Sequence, residues 1–161
     1  MKQYKQAVIE TAPPEQQQEA RLDLVVPFTT PELTVAAIHA ANRLGEGLNA
    51  GIRLVKIQVV PWPLDLKQSP VPVDFLKDQL QRFASALPMK REIRFAREFE
   101  PGLRCALNEH SLVILATRKR PWRTRTERLA AELRRDGYNV VIVPDSPVPA
   151  FAPVPQRITH A

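Results

Sequence analysis

Chemistry concentrates in one short stretch of the chain, Ala116–Arg128, which reads ATRKRPWRTRTER. From Arg118 to Arg128 it carries six basic residues and one acid, Glu127, for a net charge of +5. The whole chain is only +6, so everything else sums to +1. The pI near 9.9 therefore describes a near-neutral protein with one basic patch. Arginine offers phosphate a planar, bidentate fork of donors. Arg118, Arg120 and Arg123 precede a helix that the sequence starts near Arg125, and the N-terminus of a helix adds a positive end of its own. Cations placed there oppose the helix dipole by roughly 0.3–1 kcal/mol each when exposed, and Glu127 offsets just one of them. Such a local conflict points to a site that holds an anion. Two other readings remain open. The stretch is equally consistent with a solvated loop in which salt screens the charges and Trp122 folds over an apolar edge. A tryptophan among arginines is also a surface on which single-stranded nucleic acid stacks its bases.

Other reactive residue types are sparse or isolated. Thr29, Thr30 and Thr117 fall at the ends of two expected strands and could donate hydrogen bonds to a ligand, although helix capping explains at least one of them. His39, His110 and His160 lack the spacing of a metal site, and Cys105 stands alone, expected beside the buried face of a short helix. No serine-centred elbow or nucleophile–base set is present. Asp65, Asp74 and Asp78 are accounted for by capping and solvation. The glycines of GEGLNAG (Gly45, Gly47, Gly51) follow a helix rather than a strand, so they read as a helix end and not as a dinucleotide fingerprint. No catalytic centre, metal site or cofactor is assigned, and the protein is expected not to be an enzyme.

At 161 residues and 44% apolar content, the chain suits one globular domain. One cysteine excludes an internal disulfide framework and fits a reducing compartment. The first twenty residues contain no apolar core of signal-peptide length, and no run reaches the roughly 20 apolar residues of a membrane span. The expectation is a cytoplasmic protein without membrane contact. Residues 1–20, Gln-rich with Pro13-Pro14, read as a flexible arm. The folded domain is expected over 21–144. Residues 145–161 form a proline-rich tail, polyproline-like, which reads as a spacer or a partner-binding segment.

Strands and helices must alternate to place these residues. Leu22–Phe28 is a short apolar, β-branched run. Thr29 or Thr30 caps a helix opening at Pro31, with Glu32 in its first turn; Leu33, Ala37, Ala40, Leu44 and Leu48 mark its apolar face. Ile52–Val60 is a second strand. A helix from Asp74 follows, with Phe75, Leu76, Leu80 and Phe83 facing inward. Arg91–Arg97 alternates and reads as a half-exposed edge strand. A short helix starts near Glu100-Pro101, and Ser111–Thr117 is the most apolar strand, hence central. Thr124 and Glu127 form a capping box, Gly137 ends that helix in the left-handed region, and Val140–Val143 is the last strand. The order β-α-β-α-β-α-β-α-β implies a parallel, doubly wound sheet with right-handed crossovers. Ligands of such sheets sit beyond the carboxyl ends of the strands, where the strand order reverses.

LVVPFTTPE, SLVILATRKR and RLAAELRRDGYNVVIVP together resemble the universal stress protein family over roughly Leu22–Pro144: its opening strand and turn, its fourth strand and phosphate turn, and its last helix and strand. The resemblance implies a three-layer α/β/α sandwich, Rossmann-like, with a five-stranded parallel sheet of order 3-2-1-4-5. It implies a nucleotide pocket between the first and fourth strands, homodimers paired through the last strand Val140–Val143, and a regulatory role of the stress-response kind. The chain departs from the ATP-binding members at the residues that matter. The position of their aspartate holds Thr29, and the glycines of their turn fall on Ala116 and Lys119. Glycines let several backbone N–H groups converge on one phosphate, and none lies between Gly102 and Gly137. ATP bound in the family's manner is therefore not expected, and the chain reads as a divergent member without the glycine-rich turn. The candidate rim for an anion or nucleotide is Thr29, Thr30, Thr117, Arg118, Arg120 and Arg123. The function expected is ligand binding or regulation, with a phosphate-bearing small molecule as partner. Nucleic-acid contact through Arg118–Arg128 is the alternative.

Overall fold

A computed structural model describes residues 7–11, 22–48, 50–84 and 87–145. Its elements are β1 (Ala7–Thr11), β2 (Asp23–Pro27), α1 (Pro31–Gly45), β3 (Gly51–Val59), α2 (Val73–Ala84), β4 (Lys90–Ala96), α3 (Phe99–Arg104), β5 (Ser111–Thr117), α4 (Arg125–Arg135) and β6 (Asn139–Pro144). The strands form one sheet of order β1-β4-β3-β2-β5-β6. From β2 onward every pairing is parallel. Counting from β2, this is the 3-2-1-4-5 order expected from the sequence.

The caps that start and stop these elements are legible in their residues. Pro31 takes the first position of α1, where its missing N–H costs nothing, and the Thr30 hydroxyl accepts from the Leu33 N–H. Thr124 and Glu127 close a full capping box on α4. Gly137 follows α4 at φ +92°, a conformation that suits glycine.

Side chains alternate across the strands, so the sheet buries two separate cores. On one face Leu24, Val26, Leu54, Ile93 and Ile114 pack with Ala37, Ile38 and Ala41 of α1 and Leu76 and Leu80 of α2. On the other, Val25, Val55, Val113 and Leu115 pack with Leu103 of α3 and Leu129, Ala130 and Leu133 of α4. Each fully buried side chain of this size is worth about 1.5–3 kcal/mol relative to exposure. The α3 helix approaches the sheet so closely that a Cβ on Gly102 would lie 2.7 Å from the Ala96 Cβ and 2.9 Å from the Ile57 Cγ2.

Several expectations need correction. Part of the N-terminal stretch read as a flexible arm forms β1, which pairs antiparallel with β4 from Ala7↔Phe95 to Thr11↔Arg91. The strand read as an edge is therefore an inner one. Its alternating charges suggested solvent, yet the Glu92 side chain is 1% exposed and accepts from Arg53 Nη1 at 2.8 Å and from Arg94 Nε. Arg53 also donates to Asp23 Oδ2 at 2.5 Å and to the Ala106 carbonyl at 2.8 Å. These charges are satisfied by one another, which is the condition for burying them. The first helix ends at Gly45, short of Leu48, and both Leu48 and Leu44 in its last turn are exposed; Thr34, Ala37, Ile38, Ala40 and Ala41 make its buried stripe. Phe75 points outward, and Cys105 is exposed rather than packed beside a buried face. The proline-rich tail beyond Asp145 lies outside the described residues.

Candidate functional site

Strands β2 and β5 lie side by side, Asp23 opposite Ser111 and Val25 opposite Val113. Their crossovers leave in opposite directions: α1 carries the chain to β3 on one side, and α4 carries it to β6 on the other. A parallel sheet opens a crevice at the carboxyl ends of such a strand pair. Here that crevice is a cleft of about 660 Å³, and Thr29, Thr30, Thr117, Arg118, Arg120 and Arg123 all line it. The first two come from the β2–α1 turn, Thr117 ends β5, and the three arginines come from the β5–α4 loop.

The threonines help to build the walls. The Thr29 N–H donates to the buried Thr34 Oγ1 at 3.2 Å. The Thr30 hydroxyl is occupied by its cap. Thr117 Oγ1 lies 2.9 Å from Thr124 Oγ1, which accepts from the Glu127 N–H at 3.2 Å while the Glu127 carboxylate accepts from the Thr124 N–H at 2.8 Å. A chain of polar contacts thus ties the end of β5 to the start of α4 and fixes the span that carries the arginines.

Those arginines differ among themselves. Arg118 donates from Nε to Asp145 Oδ2 at 2.9 Å, and this partner holds its pKa above the ordinary arginine value. The Asp145 N–H in turn donates to the Thr117 carbonyl at 2.8 Å, so the chain leaves β6 at the cleft's rim. Arg120 and Arg123 have no hydrogen bond or ion pair among the described residues. Trp122 stands between them, 65% exposed, rather than folded over an apolar edge.

Lys56 is a member of the cleft that sequence reasoning passed over. It lies on β3 beside the end of β2, and its Nζ sits 4.0 Å from the centroid of the Phe28 ring. Burial pushes its amine below the usual lysine range. A lone lysine in the apolar run IRLVKIQVV was the available signal. Glu32 and Glu100 are the acids on the walls. The Glu100 carboxyl is held above the ordinary glutamate range by its hydrogen bond to Glu132, then by burial and by the Glu132 charge. Arg125 and Arg128 also line the cleft, so cations outnumber acids in it. Among the described residues no group of histidine, cysteine or acidic side chains could hold a metal ion. What this arrangement can do chemically is hold an anion by side-chain donors.

The fold is shared with a universal stress protein whose crystal structure was solved in complex with cAMP. The likeness covers 80% of this chain and 100% of that one, with a TM-score of 0.51 and 17% identity. At that identity it is a likeness of fold. No family model matches the sequence, and no curated protein matches it. Among the described residues no helix is long and apolar enough to cross a membrane.

Proposed function

We propose that this protein is a divergent, non-enzymatic relative of the universal stress proteins that binds a phosphate-bearing small molecule in the cleft between β2 and β5. One observation carries the reading: six residues from two distant turns line a single cleft at the switch point of the sheet. Arg120 and Arg123 supply donors without internal partners, and side-chain guanidinium groups stand in for a glycine-rich backbone turn. The cAMP bound by the structural neighbour supports a nucleotide as one member of the ligand class. Regulation through ligand occupancy, in the cytoplasm, is the role that goes with this reading. A homodimer through β6, whose outer edge has no strand partner among the described residues, belongs to it as well; its solution mass tests that part.

Mass spectrometry of small molecules released from gently purified protein tests the reading. A co-purified phosphorylated compound in near-stoichiometric amount supports it. Protein that carries no such compound, and that gains no thermal stability from millimolar cAMP, ATP or inorganic phosphate, counts against it.

The exposed Trp122 between Arg120 and Arg123 favours a second reading, contact with single-stranded nucleic acid. Its affinity would fall steeply with salt, and neutralising Arg120 and Arg123 would flatten that slope.

A further inference from the structure

The cations of the cleft fall into two groups. Arg118, Arg120 and Arg123 follow β5, whereas Lys56 lies on β3. Strand β2 runs between β3 and β5, so the two groups are anchored about 10 Å apart across the strand ends, twice the spacing of neighbouring strands. Pro27 pairs with Val55 and the Phe28 N–H donates to the Val55 carbonyl at 2.8 Å, which sets Lys56 beside Phe28 at the inner wall. Phe28 is held in turn by Phe83 of α2, edge-on at 5.5 Å. Lys56 has no carboxylate partner among the described residues; its ammonium lies against the Phe28 ring. Two half-buried arginines elsewhere on the sheet do have carboxylate partners: Arg53 pairs with Asp23 and Glu92, and Arg94 with Glu92. A ring face compensates a desolvated ammonium less fully than a carboxylate or phosphate does. Burial lowers the amine's pKa, and an anion placed beside it would offset that effect by favouring the charged form.

We propose that the cleft selects ligands with two anionic groups, one held by Arg120 and Arg123 at the mouth and the second by Lys56 at the inner wall. This rests on the phosphate-binding reading above and deepens it: the ligand class is a small molecule with two separate anionic groups, such as a bisphosphate or a phosphorylated acid, rather than one with a single phosphate.

Flexible probes separate charge from shape. Calorimetric titration of the full chain with hexyl phosphate and with hexane-1,6-diyl bisphosphate, at one fixed ionic strength, gives the preference for the second charge. The bisphosphate is expected to bind at least about tenfold more tightly, the equivalent of one charge-assisted contact. Lys56→Met should weaken the bisphosphate more than hexyl phosphate and bring the ratio close to one, and Lys56→Arg should preserve it. Arg120→Gln with Arg123→Gln should weaken both probes together. Equal binding of the two probes, or a preference that survives Lys56→Met, overturns the two-anion inference and leaves the phosphate reading standing. Failure of both probes, of cAMP and of inorganic phosphate to bind overturns the reading and the inference together.

Discussion

Thr117 Oγ1 and Thr124 Oγ1 sit 2.9 Å apart, joining the last residue of β5 to the N-cap of α4 across the loop that carries Arg118, Arg120 and Arg123. The contact makes one hydroxyl serve two purposes. Thr124 satisfies the first turn of α4, and it fixes the distance over which the arginine loop must span.

Thr124→Ala removes the cap and the cross-link together. Loss of the cap alone is expected to cost about 1 kcal/mol, read from chemical denaturation. Phosphate-ligand affinity should fall further than in a variant of equal stability made elsewhere, because the loop loses its anchor. Thr124→Ser should restore most of both.

Asp145 pairs with Arg118 at the cleft's rim and would compete with a phosphate bound there. Asp145→Asn releases that guanidinium and is expected to tighten binding of a phosphorylated ligand a few-fold, an effect that shrinks at high salt. Titrations at low and high ionic strength check both parts.

The buried cluster at the opposite end of the strands is expected to govern stability rather than binding. Glu92→Ala leaves Arg94 without this carboxylate and Arg53 with Asp23 as its remaining acid. Breaking such a buried pair from one side costs about 3 kcal/mol. Denaturant midpoint should drop accordingly, with ligand affinity per folded molecule unchanged.

Glu100 gives the pH dependence a sign. Its carboxyl is held above the ordinary glutamate range, chiefly through its hydrogen bond to Glu132. The folded chain therefore keeps a proton that the unfolded chain has released. This contribution is present at low pH and is lost as pH rises from the ordinary glutamate range through the raised value. Glu100→Gln should flatten stability against pH in that window, as thermal unfolding across a pH series would show.

The parts of the fold that were legible in the sequence were those whose residues state their own requirement. Pro31 after Thr30, the Thr124–Glu127 box and Gly137 each admit one local geometry, and the apolar runs of β2 and β5 fit only a sheet covered on both faces. The candidate rim was legible for the same reason: Thr29, Thr30 and Thr117 end strands whose neighbours the topology dictates, and Arg118, Arg120 and Arg123 follow one of them. What stayed hidden depended on partners far along the chain. Glu92 reads as a solvent-facing acid until Arg53, 39 residues away, is brought beside it. Lys56 reads as a charge on an ordinary strand until Phe28 is brought against it at the wall of the cleft. Leu48 kept helical spacing past the end of α1, because periodicity does not register where a helix stops.

The central claim is that arginine side chains, not backbone glycines, hold phosphate at the β2–β5 switch point. Calorimetric titration of cAMP and of hexane-1,6-diyl bisphosphate into the native chain and the Arg120→Gln, Arg123→Gln double variant tests it most directly. One site per chain is expected for at least one of these ligands, weakened at least about tenfold in the variant. Binding that is equally tight in the variant, or no binding of either ligand to the native chain, would contradict it.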